Sequence, residues 1–157
     1  IKMDISQIKL AQAQLEESNK RYNLVSKATH DFIWDLDLVT GEFVRNEFED
    51  LEAKVDPLFK SNNDWISLIH PEDLKGFYKS SQDAIDNPEK QFWEHEYRML
   101  SSLGDFLYVN SKGYIVRDSN GKPLRLIGAT QDITERMVHI KEIEAQNKKL
   151  HGFNHTL

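Results

Sequence analysis

The sequence predicts an α+β domain with a helix at each end. Three observations support this class. Residues 1–27 are rich in helix formers and hold no Gly or Pro, the middle alternates short apolar and polar runs, and the last 20 or so residues return to a helical pattern. The predicted order is helix, two strands, several short helices, three strands, helix. With 157 residues, 39% of them hydrophobic, the chain can form one domain with a substantial core.

Charge and composition exclude several classes of function. The 20 Lys and Arg face 26 Asp and Glu, and the formal charge of −6 argues against a nucleic-acid binder. Mean hydropathy is −0.62, and no apolar run reaches the roughly 18 residues that a membrane span needs. Cysteine is absent, which removes disulfides, thiolate metal sites and cysteinyl–flavin chemistry. We expect a cytoplasmic protein and, because the sequence opens Ile1-Lys2-Met3, a piece of a longer one.

Both ends carry apolar residues at heptad spacing, which is typical of paired helices. At the C-terminal end, Ile143, Leu150 and Leu157 share one heptad phase, and Ile140 shares the other with two Asn residues. The sequence therefore predicts a homodimer, with a seam formed by Ile8, Leu15, Tyr22, Ile140, Ile143 and Leu150. The alternative is that each end is a single amphipathic helix lying on the domain's own core.

The middle of the chain reads as short strands joined by tight turns. Phe32–Asp37 alternates apolar and polar side chains as a half-buried strand does, and residues 39–42 form a turn before a partner strand that begins at Phe43. Asn120-Gly121 is the strongest hairpin signal in the sequence. Three further strands are predicted at 92–99, 106–116 and 124–131.

Helical segments are predicted on either side of Pro71. Trp65, Leu68 and Ile69 have the i, i+3, i+4 spacing of one helical face. Pro71 suits the first position of the next helix, so His70 is predicted to cap that helix and not to bind a metal.

Four motifs in this order resemble the PAS sensor domain with its C-terminal PAC motif. The most specific is Gly128–Arg136, which reads GATQDITER and is similar to the family's strand-end signature. Three others are similar to the family's penultimate strand, to the start of its long helix and to its first strand after that helix: Gly113–Asp118 (GYIVRD), Ile69–Leu74 (IHPEDL) and Glu96–Arg98 (EYR).

The resemblance implies the PAS fold, a five-stranded antiparallel sheet with short helices on one face and amphipathic helices at both ends. It divides the chain into an N-terminal helix with coiled-coil character (residues 1–27), a PAS/PAC sensor domain (28–133) and a C-terminal signalling linker helix (134–157).

The tail resembles a different element. Residues 143–150 are similar to the linker of sensor histidine kinases, and residues 153–157 resemble the opening of their phosphoacceptor box. This implies kinase domains further along the same parent chain. Counted from Phe153, the acceptor His of the box would follow Leu157, so His155 is predicted not to accept a phosphoryl group.

Large side chains could line a ligand cavity between the sheet and the helices, since such pockets are mostly apolar. The candidates are Trp34, Phe43, Trp65, Leu68, Phe77, Tyr97, Met99, Val109 and Leu126. A solid core is the favoured alternative, because side chains of this size can fill the space themselves. Arg98 and Asn110 are candidate polar anchors if a ligand does bind.

No arrangement of catalytic residues is recognisable, so this fragment is predicted not to be an enzyme. No cofactor and no metal site are predicted, the purified chain is expected to be colourless, and any small-molecule ligand is left unidentified.

The functional hypothesis is a sensory and dimerisation module that relays a signal through its C-terminal helix. Asp132, with Glu135 three residues on, is predicted to begin and cap that helix. Thr134 and Arg136 are predicted to be polar latches between the helix and the sheet. The alternative is a ligand-free structural or protein-docking PAS spacer.

Overall fold

The computed structural model has helices and strands in the order that the sequence predicts. It describes residues 4–29, 31–45 and 61–155, without the side chains of residues 22, 23, 26, 27 and 152–155. The elements are α1 (Ile5–Thr29), β1 (Phe32–Asp37), β2 (Phe43–Arg45), α2 (Asn62–Ser67), α3 (Pro71–Asp86), β3 (Phe92–Leu100), β4 (Phe106–Arg117), β5 (Pro123–Asp132) and α4 (Thr134–His155). The α+β class is confirmed.

The strands form one antiparallel sheet in the order β2-β1-β5-β4-β3. The first and last strands of the chain, β1 and β5, are therefore neighbours, and β4 lies between β5 and β3. Strands β3 and β4 each extend one residue beyond their predicted C-terminal bounds, and β5 extends one residue at both ends. The reason is that paired strands of the sheet continue to form hydrogen bonds there. Leu100 lies opposite Phe106, and Arg117 lies opposite Pro123.

One face of the sheet, which we call the inner face, packs against α2 and α3. Because side chains alternate along a strand, each strand contributes every second residue to this face. The buried apolar side chains of the core cluster are Phe32, Trp34, Trp65, Ile69, Phe77, Ala84, Trp93, Tyr97, Met99, Val109, Ile115 and Leu126.

Gly128 allows the ring of Trp34 to approach β5 closely. A Cβ atom at residue 128 would lie 2.6 Å from the Trp34 ring and 2.1 Å from the carbonyl oxygen of Lys112. No side chain fits in that space, so the close approach of indole and strand requires glycine at this position.

The chain between α2 and α3 pairs with the edge of the sheet. The spacing of Trp65, Leu68 and Ile69 predicts one continuous helical face, but α2 ends at Ser67 and Ile69 bridges Met99 on β3. Pro71 explains the difference, because the residue before a proline favours extended backbone. His70 has φ −54° and ψ 133°, and its amide donates to the carbonyl oxygen of Arg98 at 2.9 Å.

Helix α3 is held at both ends by side chains. His70 caps its N-terminus as predicted, with Nδ1 accepting the amide proton of Glu72 at 3.0 Å. At the C-terminus the Arg117 guanidinium donates to the carbonyl oxygens of Ala84, Ile85 and Asn87 at 2.8–3.0 Å. The last carbonyls of a helix have no partner within it, so one arginine from β4 satisfies this end of α3.

The terminal helices are exposed. Every described side chain of α1 is exposed, and so are those of α4 from residue 138 to residue 151. These side chains therefore do not pack on the domain's own core, as the alternative interpretation of the terminal helices requires. Over the described residues, no helix is long and apolar enough to cross a membrane.

Candidate functional site

A cavity of about 210 Å³ lies between the inner face of the sheet and helices α2 and α3. Six of the nine predicted lining residues surround it: Trp34, Phe43, Trp65, Phe77, Tyr97 and Leu126. Leu68 packs against the core cluster, and Met99 and Val109 are fully buried within it. The solid core that the sequence analysis favoured is therefore not observed: these large side chains leave a cavity between them.

Aromatic rings form a large part of the cavity wall. Phe32 stacks on Trp65, with the ring centroids 5.4 Å apart. Phe77 from α3 meets Trp93 and Tyr97 edge-on, at 5.5 and 5.0 Å. Stacked and edge-to-face pairs of this kind are favoured geometries, so the wall is a well-packed apolar surface.

A chain of buried hydrogen bonds crosses this apolar wall. The indole of Trp65 donates to the Tyr97 hydroxyl at 2.9 Å, and the indole of Trp34 donates to the Thr130 hydroxyl at 2.9 Å. Between them, the Ser111 hydroxyl lies 2.8 Å from Tyr97 Oη and 2.7 Å from Thr130 Oγ1. We call Tyr97, Ser111 and Thr130 the hydroxyl relay; it links β3, β4 and β5 beside the cavity.

Burial raises the pKa of Tyr97 to about 12, although hydrogen bonds from the relay and from Trp65 oppose the shift. The phenol is therefore neutral throughout the physiological pH range. The relay therefore carries no net charge at physiological pH.

The sequence analysis missed Ser111 and Thr130. The signal was the alternation of β4 and β5: Ser111 lies two residues from Val109, and Thr130 lies four residues from Leu126, so each faces the same side as a predicted lining residue. Small polar residues at such inward positions are the ones to expect beside a buried tyrosine.

Arg98 and Asn110 do not anchor the cavity. The Arg98 guanidinium donates to both carboxylate oxygens of Asp73 at 2.8–2.9 Å, and this pairing holds the pKa of Asp73 below its ordinary value. Asn110 lies on the opposite face of β4 from Ser111 and donates to Glu94 at 3.1 Å. Its Oδ1 atom is buried and has no hydrogen-bond partner among the residues that the structure describes.

The predicted signal junction brings Asp132 and Thr134 together. Asp132 does not begin the helix as expected; it ends β5, opposite Val109, and α4 begins at Thr134. The reason is that pairing with β4 continues, since the amide of Ile133 still donates to the carbonyl oxygen of Tyr108 at 2.8 Å. The Asp132 carboxylate accepts from the Thr134 amide and hydroxyl at 2.9 and 2.6 Å.

Three further contacts join α4 to the sheet. The Thr134 hydroxyl accepts the amide proton of Tyr108 at 3.0 Å, which attaches the helix to β4. Arg136 lies 3.4 Å from Glu96 on β3. Lys141, one turn further along, lies over the ring of Tyr108. The junction residues therefore contact strands β3, β4 and β5.

The predicted seam residues lie apart from this site. Ile8 and Leu15 on α1 and Ile140, Ile143 and Leu150 on α4 are exposed. The side chain of Tyr22 and those of residues 152–157 lie outside the described part of the chain, as does the tail resemblance that involves them. Within the described residues, no group of three or more His, Asp or Glu side chains could hold a metal ion.

Comparisons with known proteins agree with this architecture. The family model described as "PAS fold" matches residues 47–130. Among curated proteins, none matches this chain.

Three solved structures have a similar fold. A sensory box histidine kinase/response regulator from Burkholderia thailandensis is 22% identical, with a TM-score of 0.68 over 83% of this chain and 98% of its own. The N-terminal domain of a diguanylate cyclase with PAS/PAC sensor from Marinobacter aquaeolei is 26% identical, with a TM-score of 0.54 over 68% and 98%. A PAS domain from Colwellia psychrerythraea is 22% identical, with a TM-score of 0.56 over 74% and 97%.

Proposed function

This chain belongs to the PAS-fold family, and from that premise we propose that it is the sensory and dimerisation module of a sensor histidine kinase. A small molecule in the cavity changes the attachment of α4, and α4 carries the change to kinase domains further along the parent chain. The names of two similar structures, a sensory box histidine kinase and a diguanylate cyclase with PAS/PAC sensor, support a signalling role.

The observation that carries the proposal is the register between β4 and β5. Ser111 lies opposite Thr130 in the hydroxyl relay, and Val109 lies opposite Asp132 at the junction. The two pairs are two residues apart on the same strands, or about 7 Å. Only one residue, Gln131, therefore separates Thr130 from Asp132, so a shift of Thr130 caused by a ligand has a short path to the carboxylate that holds Thr134.

Dimerisation is supported by the exposed apolar residues of the terminal helices. Ile143 and Leu150 are 56% and 63% exposed in the single chain, seven residues apart on α4. Large apolar side chains that line one helix face are covered when two helices pair. Two copies joined in this way would hold their α4 helices side by side, which is the arrangement that a change at the junction would alter.

A test of the relay uses the absence of cysteine. The substitution Glu144→Cys on α4 provides the only thiol in the chain, and a spin label there reports the distance between the two helices of a dimer. We expect Ser111→Ala, which interrupts the relay, to change the distance distribution. The matched control is Ser119→Ala, in the exposed hairpin turn, which should leave it unchanged. Identical distributions for both variants would favour the ligand-free spacer.

The kinase assignment has its own test. The chain would be lengthened by a few dozen residues of its natural downstream sequence, and both versions incubated with the cognate catalytic domain and labelled ATP. Phosphoryl transfer depends on positioning at the ångström scale, so only the longer chain should be labelled, and His155→Ala should not remove the label. Acid-labile label on the present chain that disappears in His155→Ala would contradict our alignment of the tail.

A further inference from the structure

The cap at the N-terminus of α3 depends on a lone pair that a proton can occupy. Nδ1 of His70 accepts the amide proton of Glu72 at 3.0 Å, so the ring's own proton is on Nε2. A protonated imidazole has no acceptor atom, because both of its nitrogens carry a proton. The cap therefore exists only while His70 is neutral, and histidine is the side chain that commonly changes its charge between pH 5 and 8.

The neighbours of His70 offer a protonated ring a second set of partners. The Arg98 guanidinium lies 2.8 Å from Asp73 Oδ1 and 3.1 Å from Glu72 Oε2, so beside a neutral His70 two carboxylates share one cation and leave one negative charge in excess. A positive charge on His70 balances this group. Hydrogen bonds from Arg98 lower the pKa of Asp73, and the nearby imidazole lowers it further, so ring and carboxylate attract each other.

The remaining side of the ring faces the hairpin before β4. The centroid of the Phe106 ring lies 4.4 Å from that of the imidazole, a distance at which a phenyl ring also attracts a cation. Asp105, the next residue, hydrogen-bonds to the hydroxyl of Ser101. The charged groups that face His70 from the described residues of α3 and β3 are therefore the two carboxylates and the guanidinium that they hold, and the hairpin adds an acid that is bound elsewhere.

We infer that His70 is a pH-sensitive switch in the first turn of α3. At neutral pH its imidazole caps the helix. In mildly acidic solution the protonated ring releases the Glu72 amide and turns to the carboxylates of Glu72 and Asp73, which are then divided between two cations. This input needs no molecule in the cavity, so it goes beyond the proposed ligand sensing and is independent of it.

The switch acts where α3 is attached to the edge of the sheet. Asp73 Oδ2 accepts the backbone amide proton of Arg98 at 2.8 Å and the Nε proton of the same residue at 2.9 Å. The backbone amide of His70 donates to the carbonyl oxygen of Arg98 at 2.9 Å. A carboxylate that turns toward His70 holds Arg98 less tightly, so acid should loosen the contact between α3 and β3 together with the cap.

Nuclear magnetic resonance of the complete 157-residue chain between pH 7.5 and 5.0 tests the inference. The ring nitrogens of His70 report its protonation, and the backbone amide of Glu72 reports the cap. We expect the Glu72 amide proton to move upfield in one step that coincides with the protonation of His70. The protection of this amide against hydrogen exchange should fall about fivefold, the effect of losing one capping hydrogen bond.

Three variants identify the titrating group. His70→Asn keeps an acceptor at the cap, because asparagine is a favoured N-cap residue, but it does not titrate in this range, so its Glu72 amide should show no step. Glu72→Gln keeps the backbone amide and removes one carboxylate, so the step should move to lower pH. The matched control is His139→Asn, which removes an exposed histidine on α4 and should leave the step unchanged.

A Glu72 amide that stays unchanged while the His70 ring is protonated would show that the cap does not depend on Nδ1, and would overturn the inference. A His70 ring that stays neutral down to pH 5.0 would overturn it as well, since the switch would then not operate in mildly acidic solution. A step that persists in His70→Asn would assign the titration to another group. The unmutated chain decides the first two whether or not the variants fold, and none of the three results bears on the cavity, so this inference and the proposed function fail separately.

Discussion

Helices α3 and α4 are attached to the same sheet in opposite ways. Side chains from the sheet hold α3 at both ends, Arg98 at its first turn and Arg117 at its last, and Phe77 and Ala84 bury one side of it. Among the described residues, helix α4 contacts the sheet only near its start, and its side chains from residue 138 to residue 151 are exposed. The difference indicates that α3 is part of the domain's core, whereas α4 is an appended helix whose exposed side is available to a second copy.

The largest effect is expected from a charge in the proposed seam of α4. Leu150→Asp would place an unpaired carboxylate between two paired helices, which weakens association by about 3 kcal/mol, or roughly 150-fold in the dissociation constant. Because Leu150 is exposed in the single chain, the circular dichroism of the variant should stay that of a folded domain. Sedimentation equilibrium gives the dissociation constant.

The control for this prediction is Ala145→Asp, on the side of α4 away from the seam, which should associate normally. Light scattering that gives one chain per particle for the unmutated protein at tens of micromolar would contradict the dimer.

The opposite attachment of α3 is tested by Arg117→Ala. The change leaves the carbonyl oxygens of Ala84, Ile85 and Asn87 without their donor, and it should lower the free energy of unfolding by about 3 kcal/mol. Urea denaturation measures the loss. Arg117→Lys keeps the charge but lacks the planar guanidinium with its five N–H donors. It should therefore restore less than half of the free energy of unfolding that Arg117→Ala loses. If Arg117→Ala lowered the free energy of unfolding by less than about 1 kcal/mol, the Arg117 hydrogen bonds would not be what holds the C-terminal end of α3.

These two helices also show which features of the fold could be predicted from the sequence. The PAS/PAC motifs, hairpin turns and period-2 strands predicted the sheet, and Pro71 with His70 predicted the start of α3, because each of these signals is local. The role of Arg117 was not predictable, since its five carbonyl partners lie 4 to 33 residues away in the chain and backbone carbonyls leave no trace in a sequence pattern. The hydroxyl relay was missed for a different reason. Alternation along each strand shows which residues face inward, but the relay joins three strands, and each strand holds only one of its members.

A moderate effect is expected at the first turn of α3. Hydrogen bonds from Arg98, opposed in part by burial, lower the pKa of Asp73 from its ordinary value of 3.8. A carboxyl group whose folded pKa is lowered adds stability above its unfolded pKa, and that stability is lost as the pH falls through the folded value. Asp73→Asn should therefore lower the melting temperature at pH 7 by about 2–4 °C, and the difference should shrink as the pH falls below about 4.

The matched control is Asp83→Asn, an exposed carboxylate on the same helix, which should change the melting temperature little at either pH. A difference between Asp73→Asn and the unmutated chain that is as large at pH 2.5 as at pH 7 would show that the ion pair is not its source.

The smallest effect is expected from the ion pair at the start of α4. Arg136 and Glu96 lie 3.4 Å apart and are 55% and 53% exposed, so water and salt screen their attraction. A double-mutant cycle of Arg136→Ala and Glu96→Ala, measured by urea denaturation, should give a coupling energy below about 0.5 kcal/mol that falls further in 0.5 M NaCl.

Thr134→Val provides the comparison on the same turn. It removes the hydroxyl that accepts from Tyr108 and donates to Asp132, and should cost about 1 kcal/mol or more. If the Arg136–Glu96 coupling exceeded the cost of Thr134→Val, an ion pair would hold α4 as firmly as one holds α3. The attachment of α4 at the junction would then be too strong for a bound ligand to change the position of the helix.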